Sequence, residues 1–184
     1  SPICFEKWDF RNSVEKGIGG SETSHVEMAW RLAARGHQVV TYTDIPKDCP
    51  GKWRDTKWYP LQAATFKQKG VWIIYRDPTT IDKFPKKGQR KDQIVWMLMQ
   101  DWDYPNWTDE RIEQFDSILT MCKWHARHTV SKFPKAKKNM WLNSNGLKVD
   151  LIEEIEKEKI KRNPKKIIYT SSPDRGLKPA LISF

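Results

Sequence analysis

GIGGSETSHVEMAWRLAARGHQVVTYTD, residues 17–44, decides how the fold is read. Within it, Val26, Ala29, Trp30 and Ala33 recur at i, i+3, i+4 and i+7, which places them on one face of a helix over 21–35. Gly36 follows as a C-cap, where a backbone without Cβ is favoured. The helix start is capped either by Ser21 or by Ser24 with Glu27 as a capping box. HQVVTYT, 37–43, is rich in β-branched residues and reads as a strand. Ahead of the helix, glycines at 17, 19 and 20 let the backbone approach a ligand and aim N-terminal N–H groups at an anion; the plainer alternative is a turn. A dinucleotide fingerprint does not fit, because Glu22 stands where GxGxxG needs glycine and the loop begins some ten residues after the first strand.

The same alternation continues on both sides. ICF (3–5) reads as a short first strand, and 45–55 as loop. Strands are expected at 57–61, 70–76, 93–101, 117–122 and 139–146, those at 70–76 and 93–101 being apolar enough for burial on both faces. Residues 77–92 read as loop with at most one helical turn. Helices are expected at 108–116, capped by Thr108, at 123–133, and at 148–162 with Val149, Ile152, Ile155 and Ile160 inward. The pattern predicts an α/β fold with a doubly wound, mostly parallel sheet of at least five strands and the glycine loop at its carboxyl edge. The domain boundary falls near Asn163, giving a domain over 1–163 and the start of a second over 164–184. KIIYTSS (166–172) reads as a strand too short of partners to bury itself, so it is expected to pair with its own sheet edge or with a second copy in a homodimer.

Composition narrows the classes. The 184 residues are 38% hydrophobic and 30% charged, which suits a soluble globular chain rather than a disordered one. No run reaches the ~18 apolar residues of a membrane span, and SPICFEKWDF lacks the basic-then-apolar pattern of a secretory leader. Three widely spaced cysteines without metal-site spacing predict free thiols and a cytoplasmic setting. The net charge of +10 is concentrated in residues 123–184, which hold 15 Lys/Arg against 6 Asp/Glu. That excess forms either a solvated surface or a basic face for nucleotide diphosphates, nucleic acid or a peripheral membrane surface. The ten tryptophans follow no repeat and are expected in core or cleft walls.

Four segments in order resemble GT-B glycosyltransferases of the large retaining class: GIGGSETSHVEMAWRLAARGHQVVTYTD, IVWMLMQD, NSNGLKVD and KKIIYTSSPDRGL. The resemblance spans essentially the whole chain and implies the acceptor-side N-terminal domain followed by the truncated start of the nucleotide-sugar domain. It implies transfer of a sugar from a nucleotide-diphosphate donor to a saccharide or lipid-linked hydroxyl acceptor, with no cofactor or metal. Gly19 and Gly20 carry over as the loop over the donor phosphate and sugar, and Glu22 as the acid of GGxE. Arg175 carries over as the cation facing the leaving diphosphate. Where relatives read His-Asp, this chain has Gln100-Asp101; the amide donates a hydrogen bond but cannot become cationic, which departs from the acceptor-side histidine role. The distal pair of acids that holds the donor belongs to the second domain, so the chain alone is expected to be inactive.

Two other classes stay open on the sequence: a non-catalytic carbohydrate-binding domain with Trp platforms, and a basic nucleic-acid binder. His37 is expected to be structural, and His125 with His128 to be surface or packed side chains, since no third metal ligand stands near them.

Overall fold

A computed structural model describes residues 7–15, 17–99, 106–161, 163–169 and 176–183. The expected strand at 3–5 lies outside the described residues, as do 100–105 and 170–175. The chain divides into two compact units, residues 1–146 and 147–184.

The first unit opens with α1 (Phe10–Glu15) and α2 (Gly20–Ala34), then β1 (Val39–Thr43), β2 (Lys52–Trp53) and β3 (Thr56–Pro60). β1 pairs in parallel with β3, and β2 pairs antiparallel with β3, in a three-stranded sheet ordered β1-β3-β2. After β4 (Gly70–Tyr75) come 3-10 turns at Pro78–Lys83 and Lys87–Gln89. They are followed by β5 (Gln93–Leu98), α3 (Asp109–Gln114), β6 (Ser117–Thr120), α4 (Lys123–Lys132), a 3-10 turn at Pro134–Asn139 and β7 (Met140–Leu142). These strands form a four-stranded, all-parallel sheet in the order β4-β5-β6-β7. The unit is therefore mixed α/β with a parallel sheet, compatible with a Rossmann-like fold; the single sheet expected from the sequence appears as two among the described residues.

Register explains the larger core. Ile74, Met97, Ile118 and Met140 are aligned across the four strands, and Trp72 faces Val95. This face joins Ile81, Phe84, Trp107, Ile112, Phe115 and Ala136 in one apolar cluster. Asn139 donates to the carbonyls of Ile112 (3.4 Å) and Phe115 (2.8 Å), tying the last 3-10 turn to the end of α3. Thr108 caps α3 as expected, its hydroxyl accepting the Arg111 N–H. The opposite face meets the expectation of burial on both sides only in part: Val71 and Ile94, opposite each other in the ladder, are 53% and 45% exposed, whereas Leu98 at the carboxyl end of the same face is buried.

The smaller core packs α2 on the three-stranded sheet, with Trp8, Phe10, Val26 and Trp58 buried together. Thr41, Thr43, Thr56 and Trp58 point into it, following the period of two along β1 and β3. Within the stretch 45–55 expected to be loop, Lys52–Trp53 forms β2 and turns into β3 through Arg54 and Asp55, which both adopt positive φ, 44° and 60°. The Arg54 guanidinium lies 4.7 Å from the ring centroids of both Trp30 and Trp53, which compensates a backbone geometry that glycine would adopt at lower cost. Trp30, expected in the helix core, instead lies half-buried beneath Arg31 and Arg54.

The second unit holds α5 (Val149–Lys157) and α6 (Leu177–Ser183). Two expectations are corrected here. Val149, Ile152, Ile155 and Ile160 are exposed, not inward. Residues 166–169 form no strand, and 170–172 lie outside the described residues. Pro179 sits in the first turn of α6, where a missing N–H costs nothing.

Candidate functional site

The glycine loop is the start of α2. Gly19 is the N-cap residue, with φ −56° and ψ 155°, and no side chain caps the helix. Neither Ser21 nor the Ser24–Glu27 box does so; Glu27 instead accepts from Trp30 Nε1 at 3.1 Å and pairs with Arg31 at 3.4 Å. The N-cap of this 15-residue helix makes no side-chain cap bond, and the first turn carries the acidic Glu22, whose charge suits the partial positive charge of a helix N-terminus.

Glu22, in the first turn, is 7% exposed. Its carboxylate occupies the space that a Cβ at Gly19 would need, so a side chain there would push that carboxylate aside. Nothing lies within 4 Å of a Cβ built on Gly20, which faces open space. The Glu22 carboxylate lies 3.8 Å from Arg76 Nη1. Arg76 directly follows the carboxyl end of β4 and has φ 64°, the left-handed region that residues other than glycine adopt at a cost. Its N–H donates to the Leu98 carbonyl at 3.2 Å, and Asp77 beyond it caps the next 3-10 turn through Thr79. The loop therefore lies at the carboxyl edge of the parallel sheet, as the sequence predicted.

Behind Glu22 stands an aromatic wall. His25 stacks on Tyr75 (centroids 4.9 Å, 18° between planes) and on Trp58 (5.7 Å, 28°), with Trp8 edge-on at 5.5 Å. Burial lowers the His25 imidazole to about 3, so the ring is neutral at pH 7. Burial likewise pushes the Tyr75 phenol upward, so it stays protonated. The chemistry available is anion binding by helix N–H groups and a guanidinium, beside a rigid, neutral aromatic floor.

Of the residues read from the sequence, Gly19, Gly20 and Glu22 come together at this place. Gln100, Asp101 and Arg175 lie outside the described residues. His25, Tyr75 and Arg76 were missed. His25 stands three residues after Glu22, hence one turn along the same helix face, and that spacing was the available signal. His125 is buried and its Nδ1 accepts the Met121 N–H at 3.4 Å, while His128 stacks on Trp124. No cluster of three metal-ligating side chains occurs among the described residues. Cys49 and Cys122 are free thiols, and no described helix is long and apolar enough to cross a membrane. In comparisons with known proteins, no family model, curated protein or solved structure matches this chain.

Proposed function

We propose that this chain supplies the acceptor-side part of a GT-B-type glycosyltransferase that moves a sugar from a nucleotide-diphosphate donor to a saccharide or lipid-linked hydroxyl acceptor. One observation carries the reading: a glycine-led helix N-terminus without a side-chain cap, braced by Glu22 against Arg76 at the carboxyl end of a parallel strand. Ligands of open α/β sheets bind beyond the strand carboxyl ends, and helix N-termini there accept phosphate. In this reading the N–H groups of Gly20 and Ser21 face the donor diphosphate, and Glu22 holds Arg76 and the loop in place. Positive charge at that position stabilises the departing diphosphate as the sugar acquires oxocarbenium character, a task that needs no obligatory metal. Gln100, Asp101 and Arg175 keep the roles the resemblance implies.

The test is calorimetric titration with UDP-, GDP-, ADP- and dTDP-sugars. One of these is expected to bind, and Arg76→Ala to weaken it ~10-fold or more, the scale of a charge-assisted hydrogen bond. Gly19→Ala, whose methyl displaces the Glu22 carboxylate, is expected to weaken it as well. Absence of binding to every donor sinks the proposal.

The 184-residue chain by itself is expected to bind without ordinary turnover. Its second unit shows two helices and no strand among the described residues, and one wall of a cleft cannot exclude water or align two reactants. Sugar transfer near ~1 per second, an ordinary enzyme rate, would refute this.

A further inference from the structure

Residues 123–139, from the start of α4 to the end of the following turn, contain six Lys/Arg and no Asp/Glu. All six cations are exposed. Lys135 and Lys138 both pair with Glu113, at 3.3 and 3.8 Å, but Lys123, Arg127, Lys132 and Lys137 make no ion pair among the described residues. Helix geometry sorts the rest. His125 and Thr129 turn inward, while Lys123, Trp124, Arg127, His128 and Ser131 occupy the outward arc. Trp124 stands in the middle of that arc, 55% exposed. His128 stacks flat against one side of the indole, with centroids 4.9 Å apart and 7° between planes. The ring is thereby held in one orientation although it is exposed.

We propose that this face of α4 and the turn after it bind single-stranded nucleic acid, independently of the glycine-loop site. The unneutralised cations match a phosphate backbone, and an oriented, exposed indole matches the π-face of an unpaired base. Neither alternative partner uses both features. An acidic peptide has no planar ring for every few charges, and a membrane surface needs several apolar side chains where this arc offers one ring amid polar groups. A duplex keeps its bases stacked and leaves Trp124 without a partner.

The experiment is fluorescence anisotropy of the full chain with labelled dT12, against a duplex of equal length and against poly-glutamate. Binding to dT12 is expected at low salt, with log affinity falling against log salt at a slope of about −3, near −0.7 for each of the four unneutralised cations. Trp124→Ala is expected to weaken dT12 binding ~10-fold or more and to leave duplex binding nearly unchanged, with Trp124→Phe restoring most of the loss. Lys137→Gln, on the turn, is expected to reduce the slope by ~0.7. Melting curves of each variant separate loss of binding from loss of fold. Failure to bind dT12 at low salt, equal affinity for poly-glutamate or for duplex, or a folded Trp124→Ala variant that binds like the parent would each overturn the proposal.

Discussion

Trp58→Ala is expected to cost about 3–5 kcal/mol of folding stability, the usual range for removing a buried tryptophan. The side chain is 1% exposed and is the largest one fully buried among the described residues. Its ring meets Trp8 and Phe10 edge-on at 6.1 and 5.4 Å and stacks on His25 at 5.7 Å. Its Nε1 donates to Thr56 Oγ1 at 2.8 Å, so the polar atom is satisfied inside the core. Alanine leaves a cavity that α2 and the three-stranded sheet cannot both close. The loss is comparable to the whole stability of many domains, ~5–15 kcal/mol. Trp58→Phe keeps most of the ring and forgoes one hydrogen bond, so it is expected to cost about 1–2 kcal/mol. Urea unfolding at neutral pH measures both; a Trp58→Ala variant within ~1 kcal/mol of the parent would show that this cluster does not hold the unit together.

Mild acid is the second large effect. An unfolded imidazole titrates near 6.5, and burial lowers His25 in the folded protein to about 3. Between those values the unfolded chain holds a proton that the folded one refuses. Stability is therefore fully present above the unfolded value and is lost as pH falls towards 3, at no more than ~1.4 kcal/mol per pH unit. At pH 5 the loss is at most ~2 kcal/mol, reduced to the extent that water reaches the partly buried ring. His25→Phe fills a similar volume without titrating, so its urea midpoint is expected to stay level between pH 7 and 5 while that of the parent drops. Parallel curves for the two proteins over that window would refute the assignment. The carboxylates of Asp48 and Glu110, held low by Arg11 and by Thr108 respectively, lose their contribution only in stronger acid and do not confuse the window.

Much of the parallel sheet was legible beforehand. Unbroken runs such as GVWIIY and QIVWML have a period and length that few other structures satisfy, and both became strands. Thr108 announced α3, and the stripe of Val26, Ala29 and Ala33 announced α2, because caps and helical faces are local properties. Trp30 shows where that logic stops. It lies at a core spacing, yet the two arginines above it decide its place, and one of them comes from a hairpin 24 residues away.

The candidate site divides the same way. Glycines before an amphipathic helix are visible in one dimension, so Gly19, Gly20 and Glu22 were found. Arg76 looked like the end of a strand, and only its positive φ and its place beside Glu22 mark it out. His25 looked like an ordinary helix residue until Trp8, Trp58 and Tyr75, from three separate segments, closed around it.

Composition and periodicity determined the class, the helix and strand types and the loop that opens α2, because those follow from backbone preferences and side-chain spacing within one turn or one pleat. Tertiary structure alone decided how much of each face of the β4–β7 sheet is buried, that α5 exposes its apolar stripe, which imidazole is kept neutral and which indoles stay in solvent. Those outcomes depend on which distant surfaces meet. Burial, and with it the energy of a ring or the proton affinity of a histidine, is a property of the pair in contact and not of either segment alone.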